Sequence, residues 1–116
     1  MADLNSRRVV VTGLGAVSPL GNTTESLWEA LTNGTSGIRP LTSIPTDHLT
    51  APYGGECIDF TGNIDDFGEL DKLAKRSIKK GLRVMCREIQ LGVAVAQSAL
   101  RNANLRMGDY NPERTG

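Results

Sequence analysis

The amino-acid sequence predicts an α/β fold, because a short β-branched run near its start is followed by segments with helical periodicity. Residues Arg8 to Thr12 read RVVVT, and a β-branched run without alternation is typical of a strand buried on both faces. From Ile78 onward, apolar residues recur at gaps of three or four, which is the spacing of one helix face. The chain has 116 residues, enough for one small domain.

The first helix is expected from Thr23 to Asn33, shortly after a glycine turn. Asn22 and Glu25 have the spacing of a capping box, and Gly34 occupies the position at which helices commonly end. Before this helix, a Gly-Leu-Gly tripeptide at 13–15 follows the first strand. Two glycines in that place indicate a tight turn or a close approach of the backbone to another element.

The glycine turn also raises the alternative of a dinucleotide site. The Gly-x-Gly-x-x-Gly fingerprint requires a third glycine that opens a helix. This sequence instead has Ser18 and Pro19 there, and the helix starts only after Asn22. A structural turn is the better interpretation.

The middle of the chain contains few regular elements. Residues 35–52 read as a loop rich in Thr, Ser and Pro, and Tyr53 to Phe60 reads as a strand weakened by two glycines. Thr61 to Leu70 is acidic and contains glycine, so it is expected to be an exposed loop.

One long helix is predicted from Ile78 to near Asn104. Its apolar stripe consists of Ile78, Leu82, Met85, Ile89, Val93, Ala96, Leu100 and Ala103. Val84 is among the residues that widen the stripe. At ~1.5 Å per residue, the helix is roughly 40 Å long. Two strands are too small a sheet for so wide an apolar face, so most of its partner is expected outside these residues, in a longer chain or another subunit.

The charge balance excludes several classes of partner. Thirteen acidic residues offset thirteen basic ones, so neither nucleic acid nor a membrane surface is expected to bind the chain as a whole. The N-terminus lacks the pattern of a signal peptide, and no apolar run approaches the roughly 20 residues of a membrane-spanning helix. We therefore expect a soluble, cytoplasmic protein.

Cysteine and histidine are too sparse for a metal site. Cys57, Cys86 and the single His48 lack metal-ligand spacing, so no metal or other cofactor is expected. A nucleophilic cysteine needs a base or a helix N-terminus to lower its pKa. Cys86 is expected in mid-helix, where the backbone amides are already paired. Both cysteines are therefore expected to be reduced, unpaired and buried as small hydrophobic side chains.

Seven basic residues fall within one short stretch and form a basic cluster. They are Lys72, Lys75, Arg76, Lys79, Lys80, Arg83 and Arg87. A solvated helix face is the commoner explanation of such a run. The functional alternative is a docking surface for an acidic partner, which long-range attraction would favour.

Residues Arg7 to Asn22 read RRVVVTGLGAVSPLGN and closely resemble the opening of the elongating β-ketoacyl-[acyl carrier protein] synthases. Further matches to that family are Trp28, Leu31, Gly34, the Ser-Gly-Ile run at 36–38, Met85, Gln90 and the run from Glu113 to Gly116. The resemblance covers nearly the whole chain and is most specific at its N-terminal end.

The resemblance implies a partial thiolase-like fold, in which residues 1–116 form the strand-helix-strand-long helix portion of the first of two related halves. Members of the family are homodimeric acyltransferases of fatty-acid or polyketide synthesis. They condense an enzyme-bound acyl group with malonyl-acyl carrier protein. Their nucleophilic Cys and two His fall after position 116 in family order. No catalytic residue is therefore carried over to this chain, and the chain alone is expected to be inactive.

The resemblance also implies a docking site for the acyl carrier protein. The family docks this acidic partner partly through basic residues just before the long helix, and Lys79, Lys80 and Arg83 occupy those positions. The stretch from Thr61 to Arg76 is longer than in common family members, so the first three residues of the basic cluster can share that role. Two alternatives stay open: a non-catalytic chain-length partner subunit whose nucleophile is replaced, and an independent carrier-protein-binding module.

Overall fold

The computed structural model describes residues 8–115 as short helices, a two-stranded sheet and connecting loops. The helices are α1 (Thr24–Thr32), α2 (Lys72–Gly81) and α3 (Arg87–Asn102), the strands are β1 (Ile38–Pro40) and β2 (Tyr53–Gly55), and 3₁₀ helices span Ile64–Phe67 and Pro112–Arg114. This is a small mixed α/β unit, so the predicted combination of helices and strands is confirmed at that coarse level. The predicted order of strand, helix, strand and one long helix is confirmed only in part.

The prediction of a buried strand from Arg8 to Thr12 is wrong for this structure, in which the segment is irregular and unpaired. Val9 is 94% exposed, and Val10 and Val11 are 73% and 78% exposed. A strand needs a neighbour that bonds its N–H and C=O groups. The sheet formed within residues 8–115 consists of β1 and β2, which pair with each other. The β-branched run therefore has the composition of a strand, but no strand within residues 8–115 pairs with it.

The glycines at 13 and 15 let the chain cross α3 at close range. A methyl group on Gly13 would lie 2.6 Å from Cβ of Ala103, and one on Gly15 would lie 2.8 Å from the backbone nitrogen of Ala99. Both separations are far shorter than van der Waals contact, so no side chain fits at either position. The predicted close approach of the backbone is confirmed, and its partner is a helix rather than a nucleotide.

The capping residues of α1 differ by one position from the predicted pair Asn22 and Glu25. The side chain of Thr23 accepts a hydrogen bond from the N–H of Ser26 at 3.1 Å, and Oγ of Ser26 accepts one from the N–H of Thr23 at 3.2 Å. This reciprocal pair is a capping box. The predicted end of the helix is confirmed, because Gly34 has a φ of 65°, a left-handed conformation that glycine adopts without strain.

β1 and β2 form an antiparallel pair in which Ile38 lies opposite Gly55. The predicted strand from Tyr53 to Phe60 is confirmed only over its first three residues. Beyond them the chain turns, and the N–H of Phe60 donates to the carbonyl of Cys57 at 3.2 Å. The turn ends the strand early because it carries the phenylalanine ring into the core.

Glu56, directly after β2, fixes the loop that follows β1. Its carboxylate accepts hydrogen bonds from the backbone N–H groups of Thr42 and Ser43, each at 2.8 Å. Hydrogen bonds from Ser43, and then from Thr42, lower the pKa of Glu56 to about 2 because they stabilise the ionised carboxylate. The charge of Glu56 is therefore part of what holds this hairpin together.

The core within the described residues is small, with Phe60, Phe67, Ile78 and Ala94 buried together. The two phenylalanine rings meet edge to face, with centroids 5.6 Å apart and planes at 65°. Phe67 is only 3% exposed, so the expectation of an exposed loop from Thr61 to Leu70 is wrong at this position. Burial of one phenylalanine side chain is worth about 1.5–3 kcal/mol, which favours folding this acidic segment back onto the core.

The predicted single helix from Ile78 to near Asn104 is in fact two helices, separated by a turn at 82–86. Cys86 has an extended backbone, with φ −70° and ψ 168°, which a continuous helix cannot contain. A straight helix would hold Ile78 and Ala94 roughly 24 Å apart at ~1.5 Å per residue. Both residues belong to one buried cluster, so burying both around the same phenylalanines requires the break.

A large apolar surface is left open around this core. The radius of gyration is 18.0 Å, compared with about 13 Å for a compact domain of similar length. On α1, Trp28 and Leu31 are 69% and 56% exposed. This open surface agrees with the expectation that much of the burial partner lies outside these residues.

Candidate docking surface

α2 presents basic side chains because one of its faces is fixed to the core. The carboxylate of Asp71 caps the helix by accepting a hydrogen bond from the N–H of Ala74 at 2.7 Å. Ile78 packs with the buried phenylalanines and is 6% exposed. With that face held inward, Lys79 and Lys80 are exposed in the last turn of the helix.

The third candidate residue, Arg83, lies exposed in the turn that follows α2. The turn retains helical hydrogen bonding, since the N–H of Val84 donates to the carbonyl of Gly81 at 2.9 Å. The three residues were expected at the opening of one long helix, and the structure places them instead at the C-terminal end of a separate helix. We call Lys79, Lys80 and Arg83 the docking surface.

Charge is distributed unevenly along α2. Residues 65–76 contain four acidic and three basic side chains, which sum to −1, and Nζ of Lys75 lies 3.7 Å from Oδ1 of Asp65. Residues 77–87 contain four basic side chains and no acidic one, which sum to +4. Positive potential is therefore concentrated at the C-terminal end of the helix. This distribution argues against an equal share for the first three residues of the basic cluster.

Arg87 belongs to the basic cluster but has a structural position. Its guanidinium donates a hydrogen bond to the carbonyl of Cys57 at 2.9 Å and lies 5.1 Å from the centroid of the Phe60 ring. A cation over an aromatic face is attracted by the ring quadrupole. Arg87 thus attaches the first turn of α3 to the segment after β2.

The N-terminus of α3 adds to the positive potential near the docking surface. Cys86 occupies the N-cap and its side chain makes no capping hydrogen bond, so the first backbone N–H groups keep much of their partial positive charge. Glu88 offsets part of it. A hydrogen bond from its own backbone N–H, and then one from Cys86, lowers the pKa of Glu88 and keeps it ionised.

The segment before α2 is held by one carboxylate. Oδ2 of Asp66 accepts hydrogen bonds from the N–H groups of Thr61, Gly62 and Asn63 at 2.7, 2.8 and 3.2 Å. Partial burial raises the pKa of Asp66, but a hydrogen bond from the Thr61 hydroxyl at 2.7 Å, together with those from the three N–H groups, outweighs it and lowers the pKa overall. These hydrogen bonds were not predicted from the sequence, although an Asn three residues before an Asp has the spacing of a capping box.

The remaining candidates for chemistry lie apart from any assembled site. Cys57 is half-buried beside the core, whereas Cys86 is exposed at the α3 N-cap rather than buried in mid-helix as expected. Both are free thiols. His48 is exposed in the loop between the strands. Residues 8–115 contain no group of three or more His, Cys, Asp or Glu side chains arranged to hold a metal ion.

Among residues 8–115, no helix is both long enough and apolar enough to span a bilayer.

The chain is similar to a known protein family over nearly its whole length. The family model described as beta-ketoacyl synthase, N-terminal domain, matches residues 6–116. A 3-oxoacyl-[acyl-carrier-protein] synthase 2 of Synechocystis sp. is 34% identical over 116 residues, 100% of this chain and 25% of that protein. Proteins of the same name from Staphylococcus aureus strain N315 and Vibrio harveyi are 35% and 36% identical, over 96% and 97% of this chain and 24% and 25% of theirs.

The chain belongs to the β-ketoacyl synthase family, and its residues 6–116 match the model of that family's N-terminal domain. It spans about a quarter of the length of the relatives it matches. The resemblance stated from the N-terminal motif is thereby confirmed.

Proposed function

We propose that this chain is the N-terminal part of an acyltransferase that condenses an acyl-enzyme with malonyl-acyl carrier protein in fatty-acid synthesis. In this proposal the intact synthase is a homodimer with a thiolase-like fold, and residues 1–116 contribute recognition rather than chemistry. The family match and the three synthases that align with almost the whole chain support it. Their names favour an enzyme over a chain-length partner subunit or an independent binding module.

Within that enzyme, the role of Lys79, Lys80 and Arg83 is to dock the acyl carrier protein. The observation that carries the assignment is the charge distribution: residues 77–87 contain four basic side chains and no acidic one, and Glu88 next to them offsets only part of that charge. Attraction between such a surface and an acidic protein raises the rate of productive encounter and declines with salt, since the Debye length is about 8 Å at physiological ionic strength.

The test is charge reversal in the intact synthase, with Lys79→Glu, Lys80→Glu and Arg83→Glu combined. We expect the KM for carrier-bound substrate to rise roughly tenfold or more at low salt. Activity with a small acyl thioester that carries no protein should be unchanged. The salt dependence of the carrier reaction should flatten.

A matched control reverses the same amount of charge at the neutralised end of α2, with Lys72→Glu, Lys75→Glu and Arg76→Glu combined. Because those residues lie among four acidic side chains, the control should raise the KM much less. Equal effects of both triple variants, or equal losses with carrier-bound and small substrates, would refute docking at this surface.

A further inference from the structure

We infer that Val84 is the apolar anchor of the docking surface and inserts into an apolar depression on the acidic partner. This inference rests on the proposed function and deepens it. Val84 is 86% exposed, although the sequence pattern places it within the apolar stripe of a continuous helix. The break between α2 and α3 turns it outward instead, into the middle of the most positive part of the chain.

The positive charge of its neighbours in the sequence distinguishes Val84 from the other exposed aliphatic side chains. Lys80, Arg83 and Arg87 lie four residues before, one before and three after it, and all three are exposed. Covering Val84 with another part of the same folded protein would desolvate these cations, which is costly unless each is paired. The run Val9 to Val11 has a cation only before it, at Arg8, so a sheet can cover the run with less burial of charge.

A partner with acidic groups around an apolar spot can cover Val84 and also pair with the cations that surround it. Its carboxylates would pair with the cations at the rim, where water still screens them, and its apolar spot would remove Val84 from water. Interfaces of this type have an apolar centre and a charged rim. The rim then controls the association rate, whereas the buried centre controls the dissociation rate.

Leu73 provides the contrast on the same helix. It is 71% exposed, but the four acidic side chains that precede α2 from residue 65 onward offset the three basic ones at 72–76, so that residues 65–76 sum to −1. An acidic partner is not attracted to that end. Exposure of an aliphatic side chain is thus shared by Leu73 and Val84, and only Val84 combines it with unopposed positive charge.

The experiment measures association and dissociation rates of acyl carrier protein with the intact synthase, by surface plasmon resonance. Val84→Ser should dissociate about tenfold faster, as expected for loss of a buried Val contact, with an unchanged association rate. Val84→Leu, which keeps an apolar side chain, should retain slow dissociation. Leu73→Ser should behave as the unchanged protein. The charge-reversed triple variant of the docking surface should mainly slow association.

The outcomes distinguish this inference from the function on which it rests. If Val84→Ser leaves dissociation unchanged while the triple variant slows association, the anchor is refuted and docking stands. If neither variant affects binding, both fail. If Val84→Ser lowers the thermal unfolding temperature of the intact synthase, Val84 is covered by its own protein and the anchor is refuted. Equal effects of Val84→Ser and Leu73→Ser would also refute it.

Discussion

Replacing Ile78 by Ala tests whether α2 is a separate helix held to the core by this one buried side chain. Ile78 is 6% exposed and packs in the cluster that contains both buried phenylalanines. The substitution removes three carbons from the core, worth about 2.4 kcal/mol at ~0.8 kcal/mol each. A residual cavity brings the usual range to about 2–5 kcal/mol. α2 packs on one side only and can relax, so we expect a loss of about 3 kcal/mol.

The loss should appear as faster hydrogen exchange at the amides that hold α2. The N–H of Lys75 donates to the carbonyl of Asp71 at 2.9 Å, and that of Leu82 to the carbonyl of Ile78 at 2.8 Å. Since 1.4 kcal/mol corresponds to a factor of ten, protection of these amides should fall by roughly two orders of magnitude. Exchange measured by mass spectrometry resolves this segment in a protein of any size.

The matched control is Val84→Ala, which shortens an aliphatic side chain that is 86% exposed. Such a surface change should alter the opening free energy by less than about 0.5 kcal/mol, or roughly threefold in protection. In a single continuous helix both residues would face the apolar stripe, and both substitutions would cost stability. Equal losses from the two variants would therefore refute the break between α2 and α3. A negligible effect of Ile78→Ala would refute the anchoring of α2.

Two further predictions concern the hairpin and the thiols. The pKa of Glu56 is lowered from 4.5 to about 2, so its stabilising contribution is complete above pH about 4.5 and is lost as the pH falls through about 2. Glu56→Gln should remove this acid dependence of exchange at the β1 and β2 amides, and an unchanged acid profile would contradict it. Thiol titration without reductant should find both cysteines free, with exposed Cys86 reacting before half-buried Cys57; a missing thiol or the reverse order would contradict that assignment.

The candidate site shows how far sequence reasoning reached. The basic residues Lys79, Lys80 and Arg83 were selected from charge and family position, and all three are exposed in the last turn of α2 or in the turn that follows it. Their surroundings were not predictable in the same way. The pairing of Lys75 with Asp65 joins a 3₁₀ helix to α2 across a tertiary contact, and neither charge count nor helical periodicity contains that contact. The charge difference between residues 65–76 and 77–87 can be counted from the sequence. The ion pair of Lys75 with Asp65 is visible only in the structure.

Local rules alone determined several features of this protein. Gly34 ends α1 because a left-handed position favours glycine at any helix terminus. The glycines at 13 and 15 indicated a tight turn or a close backbone approach, because glycine is the residue that permits either. The N-terminal motif and the absence of metal-ligand spacing likewise depend on residues that are adjacent in the chain.

The tertiary structure decided where the apolar periodicity is interrupted and which side chains face water. Every gap from Ile78 to Ala103 is three or four residues, so the pattern is the same for one helix and for two helices that use the same stripe. The helix is broken because Ile78 and Ala94 both have to reach one small cluster around Phe60 and Phe67. That requirement is a distance between residues far apart in sequence, which periodicity does not encode. The exposure of Val84, and with it the proposed anchor of the docking surface, follows from the same break.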